Sequence, residues 1–181
     1  GERIDFVSIV VQNYLHFDVA KTFLKAGFNV ICDKPVTLDL SQARDLKKII
    51  TKSKKVFALT HNYTGYPLIR QAKEMVGQGE LGKIRVIQVE YAQDWLTKNA
   101  DNKQANWRTD PNQSGGGGCI GDIGTHAFQM TEYLTGMEVK YILSDLNTLY
   151  DDNSLDIDGT VLVRFSDTVK GIIRASQIAT G

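Results

Sequence analysis

Residues 6–35 read FVSIVVQNYLHFDVAKTFLKAGFNVICDKP, in which an apolar run, a helical pattern and a second apolar run follow one another. The run from Phe6 to Val11 does not alternate with polar residues, which is typical of a parallel strand buried on both faces. Apolar residues then recur at helical spacing as far as Leu24, and Gly27 predicts the end of that helix. Phe28 to Cys32 predicts a second strand, so this stretch predicts a β–α–β unit.

The same alternation continues to residue 59. Asp39 and Gln42 have the spacing of a capped helix start, and the apolar stripe that follows predicts a buried helix face running from Leu40 to Ile50. Val56 to Leu59 predicts a third strand. Strand, helix, strand, helix and strand make one half of a doubly wound parallel sheet, so the predicted fold class is α/β.

The pattern changes after residue 82. A helix is predicted over 67–76, with Pro67 in its first turn, and a long strand over 84–92. A polar stretch over 97–114 predicts irregular structure. Three further strands are predicted over 141–149, 160–165 and 169–178, the last two joined as a hairpin. Grouped strands with one inserted helix predict an α+β domain with a largely antiparallel open sheet.

Composition excludes several functions. The chain has 21 basic and 21 acidic residues, so its net charge predicts no nucleic-acid or anionic membrane partner. No apolar run approaches the ~20 residues that span a bilayer. Cys32 and Cys119 form no CxxC pair and predict two reduced thiols. His16, His61 and His126 lack the spacing of compact zinc sites, so no metal site is expected.

The strongest candidate for chemistry is the stretch over residues 115–126, GGGGCIGDIGTH. In a helix, Asp122 and His126 would lie on one face, one turn apart. A carboxylate that orients an imidazole suits proton transfer, and bare glycine backbone admits a closely packed ligand. The alternatives are a structural linker, an aspartate at a helix start and a surface histidine.

Further candidates follow the predicted strands, at the edge where ligands bind in open α/β sheets. Asn13 and His16 follow the first strand, Lys34 and Pro35 the second, and Tyr63 the third. The Lys34–Pro35 sequence predicts an extended or turned backbone and is a candidate for a cis bond, which would direct the lysine away from the sheet. The alternatives are a solvated loop lysine and ordinary residues at helix starts.

Trp107 and Arg108 lie in the polar stretch before the glycines. An aromatic face beside a guanidinium suits a sugar or an anionic substrate. It is equally suited to packing at the surface.

Several of these segments resemble the Gfo/Idh/MocA oxidoreductases, which include glucose–fructose oxidoreductase and inositol dehydrogenase. The matching segments occur in the family's order across nearly the whole chain: 7–16, 26–35, 61–63, 79–84 and 118–126. Asp33 stands where the family usually has a glutamate before Lys34 and Pro35. The resemblance implies residues 1–64 as the second half of a Rossmann domain binding NAD or NADP, and 65–181 as the substrate-binding and oligomerisation domain.

The resemblance also implies what this chain lacks. The phosphate-binding GxGxxG loop belongs to the first half of the Rossmann domain, and the glycine run does not follow the first strand of a βαβ unit. We therefore expect an internal piece of a longer protein that by itself does not bind a dinucleotide through its pyrophosphate. The remaining cofactor-binding candidates are Asn13, His16, Lys34 and Pro35.

By this resemblance, the protein transfers a hydride from a hydroxyl-bearing carbon of a sugar or cyclitol to nicotinamide. His126 would act as general base, Asp122 would orient it or bind substrate, and Lys34 would stabilise the reacting oxygen. Tyr63, Trp107 and Arg108 would join Asp122 and His126 in binding substrate. A cytoplasmic homo-oligomer, a dimer or tetramer formed through the C-terminal sheet, is implied as well.

Three other interpretations stay open at this point. In the first, the protein oxidises its substrate transiently, as family dehydratases and glycosidases do. In the second, it senses a sugar or dinucleotide without catalysis. In the third, the β-rich half serves chiefly in assembly.

Overall fold

The computed structural model describes residues 3–98, 102–148, 155–166 and 168–179. The chain forms two compact units, the first from residues 1–60 and 103–116 and the second from residues 61–102 and 117–181. The predicted domain boundary after residue 64 stays a prediction.

The described helices and strands are joined in part by a 3₁₀ turn at Asn62–Gly65 and a π-helical turn at Ile120–Gly124. The strands are β1 (Phe6–Ile9), β2 (Asn29–Cys32), β3 (Phe57–Leu59), β4 (Val86–Ala92), β5 (Tyr141–Asn147), β6 (Asp158–Arg164) and β7 (Lys170–Ser176). The helices are α1 (Asn13–Lys25), α2 (Leu40–Ser53), α3 (Pro67–Gly77), α4 (Lys103–Arg108), α5 (Pro111–Ser114) and α6 (Thr125–Thr135).

The first unit is built on a parallel sheet in the order β1-β2-β3, as the sequence predicts. Its core joins the inner faces of these strands to α1 and α2 through Ile9, Leu24, Val30 and Leu46. The Asp39 carboxylate caps α2 by accepting from the Gln42 N–H at 2.8 Å. The α/β class and the capped helix are therefore confirmed.

Two details of this unit differ from the prediction. β1 stops at Ile9 because its ladder with β2 ends at Cys32, and Val10 and Val11 are exposed. Phe6 is exposed too, so β1 is not buried on both faces. Leu40 is 64% exposed because it begins α2, ahead of the turn that packs on the sheet.

The predicted irregular stretch contains two short helices, so that expectation was wrong for 103–108 and 111–114. α5 begins with Pro111 directly after Asp110, whose carboxylate accepts from the Asn112 N–H at 2.9 Å. A capping aspartate before a proline is a helix-start signal, and it was available in the sequence.

The second unit is built on a four-stranded sheet in the order β4-β7-β6-β5. β5 with β6 and β6 with β7 are antiparallel, and Arg164 opposite Lys170 closes the predicted hairpin. β4 runs parallel to β7, which makes the sheet mixed. α6 covers one face through Ala127, which packs with Val161, Val163 and Ile173. The predicted end of the β5 strand, residue 149, lies outside the described residues.

No helix in the part of the chain that the structure describes is long and apolar enough to cross a membrane.

Both cysteines are free and fully buried. Burial, with the charge of Asp33, raises the pKa of the Cys32 thiol to about 12. Burial and a hydrogen bond to Asp156 raise the pKa of the Cys119 thiol further above its usual value. Because the thiolate is the reactive form, both thiols should be inert in the native protein.

We therefore expect iodoacetamide at mildly alkaline pH to leave Cys32 and Cys119 unmodified in the native protein and to modify both after denaturation. Peptide mass spectrometry locates the modification. Alkylation of either residue in the folded protein, at the rate of an exposed thiol, would contradict this burial.

Candidate active site

In the first unit, the loop that carries Lys34 leaves the sheet at the carboxyl end of β2. The Asp33 N–H donates to the Ile9 carbonyl at 3.0 Å, and its carboxylate accepts from the Thr60 hydroxyl at 2.7 Å. The bond between Lys34 and Pro35 is cis, a form that the sequence left open. Asp33 is thus hydrogen-bonded to Ile9, the last residue of β1, and to Thr60, the residue after β3.

His16 lies beneath this loop and is fully buried. Its Nδ1 is 2.7 Å from the Pro35 carbonyl oxygen, and its Nε2 is 3.0 Å from the Val11 carbonyl oxygen. Each ring nitrogen of His16 thus lies within hydrogen-bonding distance of a backbone carbonyl oxygen. Because both nitrogens face backbone oxygens, the geometry favours His16 as a residue that positions the Lys34 loop rather than one that contacts a cofactor.

Asn13 begins α1 and is almost fully buried. Its Nδ2 donates to the Ser114 carbonyl at 2.8 Å, which ties the start of α1 to the end of α5. This hydrogen bond fixes the amide at the carboxyl edge of the parallel sheet.

Trp107 and Arg108 form a stacked pair on α4, with the guanidinium carbon 4.4 Å from the indole centroid. The Trp107 Nε1 donates to the Gln104 side chain at 3.2 Å, and Arg108 also donates to Gln104. The pair is half-buried, and both interpretations of it, as a ligand platform and as a packing pair, stay open.

In the second unit, His126 lies in the first turn of α6 and is buried. Its ring centroid is 4.7 Å from that of Tyr63, in an edge-to-face arrangement, and 6.0 Å from that of His61. Tyr91 contributes a third ring at 6.2 Å. The imidazole is therefore surrounded by aromatic rings, which restricts its orientation.

The two tyrosines of this cluster are joined through their hydroxyl oxygens, 2.6 Å apart. The Gln93 amide donates to the Tyr91 oxygen at 3.3 Å, and the Trp95 indole donates to Gln93 at 3.1 Å. The hydrogen bond to Tyr91, together with burial, raises the pKa of Tyr63 to about 12. Tyr63 is therefore a neutral hydroxyl at physiological pH.

Asp122 lies in the π-helical turn that precedes α6. Its Oδ2 accepts from the Gln177 side-chain amide at 3.1 Å, and Gln177 is itself buried at the end of β7. Because a π turn closes an i→i+5 bond, the α-helical spacing argument does not describe the step from Asp122 to His126. Gln177, which was not predicted from the sequence, fixes the carboxylate.

The four glycines of the run differ in their surroundings. A Cβ at Gly118 would overlap the backbone oxygen of Asp156, so at this position protein atoms, not a ligand, lie against the glycine. Gly115 has a φ of +101°, a conformation that favours glycine. A Cβ at Gly116 would meet no heavy atom of the described residues within 4 Å, so nothing in that part of the chain explains its lack of a side chain.

Asn13 and Lys34 fit the nicotinamide end of a dinucleotide, because their polar side chains follow the carboxyl ends of β1 and β2, and Pro35 stays a candidate for contact with the cofactor. The phosphate end has no such match, because Gln12 and Asn13 rather than a glycine-rich turn follow β1. Among the described residues, no group of three or more His, Cys, Asp or Glu is placed to hold a metal ion.

Three residues of the second unit were not predicted from the sequence: Tyr91, Gln177 and Asp156. Tyr91 and Gln177 come together because β4 and β7 are parallel neighbours, with Tyr91 opposite Ala175. No local sequence pattern predicts the pairing of β4 with β7. Asp156 lies between apolar residues before β6, which is a weak signal for a buried carboxylate.

Comparison with known proteins gives matches along the whole chain. Residues 1–72 match the family model described as an oxidoreductase family with an NAD-binding Rossmann fold, and residues 69–181 match the GFO/IDH/MocA C-terminal domain. A levoglucosan dehydrogenase of Pseudarthrobacter phenanthrenivorans is 27% identical in a match that covers 98% of this chain and 50% of that protein.

Two solved structures show the same fold. An inositol dehydrogenase homologue from Azotobacter vinelandii, complexed with NAD⁺, is 28% identical with a TM-score of 0.94, and the match covers 98% of this chain and 47% of that one. The same homologue is also known with NADH and myo-inositol. An oxidoreductase from Sinorhizobium meliloti is 42% identical with a TM-score of 0.84, with 98% and 46% covered.

The chain thus corresponds to about half the length of these relatives. Both parts of it match the family, the parallel sheet through the N-terminal model and the mixed sheet through the C-terminal one. This chain belongs to the Gfo/Idh/MocA family of NAD-binding oxidoreductases.

Proposed function

We propose that the protein carrying this chain is a nicotinamide-dependent dehydrogenase that oxidises a hydroxyl-bearing carbon of a sugar or cyclitol. The observation that carries this proposal is the buried His126, enclosed by Tyr63 and Tyr91, with Asp122 fixed in the preceding turn. Relatives named for levoglucosan and myo-inositol support the substrate class. The choice between NAD and NADP stays open.

His126 takes the proton of the reacting hydroxyl. Imidazole is the side chain suited to proton uptake near neutral pH, and its ring is held edge-on to Tyr63. Asp122, bonded to Gln177, supplies a carboxylate that orients the imidazole or accepts from a substrate hydroxyl. Besides its bond to Tyr91, the neutral Tyr63 hydroxyl oxygen accepts a hydrogen bond from a further hydroxyl of the polyol.

Lys34 stabilises the negative charge that develops on the reacting oxygen when the proton leaves. The ties of Asp33 to Ile9 and of His16 to Pro35 hold its loop in place. Asn13 and Pro35 contact the cofactor at the same edge of the sheet. Nicotinamide, when bound, supplies the acceptor for the hydride of the carbinol carbon.

The test is nicotinamide reduction by the full-length protein over a panel of aldoses and cyclitols. We expect His126→Ala and Lys34→Ala each to lower kcat by about a hundredfold or more, with a smaller effect on substrate KM, because each removes a group that acts on the transferred proton or the charged oxygen.

Lys48→Ala is the matched control, since Lys48 is exposed on α2 and paired with Asp45 at 2.7 Å. It should leave kcat unchanged. A kcat within about threefold of wild type in either active-site variant would remove that residue from the mechanism. Substrate conversion without net nicotinamide reduction would instead favour transient oxidation, and dinucleotide binding with no conversion of any polyol would favour a sensor.

We also propose that the protein is a homo-oligomer that pairs through the open face of the mixed sheet. Leu143, Leu162 and Ile172 lie side by side across three strands, and they are exposed by 70, 48 and 40%. With Val86 and Tyr141 they line a groove of about 440 Å³. An apolar surface of this kind is the usual mark of an interface, and a second copy offers the same surface in return.

Leu143→Asp should therefore shift the protein toward the monomer, because it places a charge in the middle of an apolar contact. Light scattering coupled to size-exclusion chromatography gives the mass. Leu68→Asp is the control, since Leu68 is 75% exposed on α3 and does not line the groove. A wild-type oligomer mass for Leu143→Asp, or a monomeric wild-type protein, would contradict the proposed interface.

A further inference from the structure

Asp156 has a buried carboxylate for which the proposed mechanism has no direct use. It lies before β6 in the second unit and is 6% exposed. Its Oδ1 accepts from the Gly118 N–H at 2.7 Å, and its Oδ2 accepts from the Ile120 N–H at 2.8 Å and the Cys119 thiol at 3.1 Å. Both oxygens are therefore hydrogen-bonded, as a buried carboxylate requires.

The backbone of Asp156 binds the same segment. Its carbonyl oxygen accepts from the Cys119 N–H at 2.6 Å, and a Cβ at Gly118 would overlap that oxygen. Residues 118–120 are thus held by a side chain and by a main chain at once. The lack of a side chain at Gly118 is what allows the two backbones to approach so closely.

The segment bound by Asp156 leads directly into the turn that carries the candidate acid–base residues. The Asp122 N–H donates to the Gly118 carbonyl at 2.9 Å, and the Thr125 N–H donates to the Ile120 carbonyl. His126 is the next residue after Thr125. A displacement of residues 118–120 is therefore passed on to Asp122 and to the start of α6.

The charge of Asp156 suits this place. Free N–H groups at the start of a helix attract an anion, and glycine-rich turns often use them to bind phosphate. Here the N–H groups of Gly118 and Ile120 bind the carboxylate of the protein itself. The anion bound at the end of the glycine run is thus the Asp156 carboxylate.

We propose that Asp156 is a positioning residue, whose carboxylate sets the placement of Asp122 and His126 through the backbone of residues 118–120. The proposal rests on the function proposed above insofar as Asp122 and His126 act on a polyol. Asp156 itself contacts neither of them through any of these hydrogen bonds.

The test compares Asp156→Asn with Asp158→Asn in the full-length protein. The amide introduced by Asp156→Asn presents an NH₂ group to an N–H or thiol donor, so one of these bonds is lost and the segment shifts. Asp158 is the matched control, because its carboxylate lies two residues further on and pairs with Arg174 at 3.4 Å, partly exposed.

With the polyol that the wild type oxidises fastest, we expect Asp156→Asn to lower kcat by about ten- to a hundredfold, a size typical of misplaced catalytic groups. The KM for the cofactor should stay within about twofold, since the cofactor candidates lie in the other unit. Rates are taken well below the melting temperature, so that a loss of stability alone leaves kcat unchanged. A wild-type kcat in folded Asp156→Asn overturns the proposal.

If Asp156→Asn does not fold, Asp156→Glu is used to test the positioning role. It keeps the charge and both acceptor oxygens but moves them by one methylene, so kcat should fall by about tenfold or more. A kcat equal to that of the wild type in Asp156→Glu overturns the proposal.

If the wild type oxidises no polyol, the proposed function fails, and nitrogen NMR of histidine-labelled protein tests Asp156 separately. The assigned His126 imidazole signals should shift in the folded position-156 variant and not in Asp158→Asn. Those of His16, in the first unit, should stay in place in both. Unchanged His126 imidazole signals in the folded position-156 variant overturn the positioning role of Asp156, whatever the substrate is.

Discussion

The parallel pairing of β4 with β7 is the constraint on which the candidate site of the second unit depends. It brings the carboxyl ends of two strands that are distant in sequence to the same edge of the sheet, with Ala92 opposite Ser176. Tyr91 then joins Tyr63 beside His126, and Gln177 reaches Asp122. A shift of register by one residue would send Tyr91 to the opposite face and dismantle the cluster.

In each unit, buried polar residues outside the expected catalytic set support the candidate residues of that unit. His16 contacts the Pro35 carbonyl, Gln177 donates to Asp122, and Asp156 accepts from Gly118 and Ile120. A satisfied bond of this kind stabilises by about 1 kcal/mol, whereas a buried group left without its partner costs about 1–3 kcal/mol. Such residues therefore tolerate substitution poorly even where they touch no ligand.

Much of the fold could be predicted from local signals. The apolar runs, Gly27 and the Asp39 cap predicted the alternating strands and helices of the first unit, and Pro67 predicted the start of α3. Each of these signals depends only on residues that are near in sequence. The hairpin of β6 and β7 was equally local. The exposed Leu40 and the early end of β1 were missed, since they depend on which face meets the sheet and where the partner strand turns away.

The site was only partly predictable for the same reason. Asp122, His126 and Lys34 could be predicted as candidates from their residue types and from the motifs around them. The roles of Tyr91, Gln177 and Asp156 could not, because these residues reach the site only through contacts between segments that are distant in sequence. The glycine run shows the limit most clearly. Its composition suggested a ligand, but at Gly118 the close neighbour is the backbone of Asp156.

In the proposed reaction, a hydride leaves the hydroxyl-bearing carbon of a polyol. The most direct measurement uses the full-length protein, oxidised nicotinamide cofactor and myo-inositol or an aldose deuterated at its carbinol carbons, followed by mass spectrometry of the reduced cofactor. One deuterium atom in the nicotinamide ring of each reduced molecule is the predicted result. Reduced cofactor without deuterium, or no reduced cofactor with any polyol, would contradict this hydride transfer.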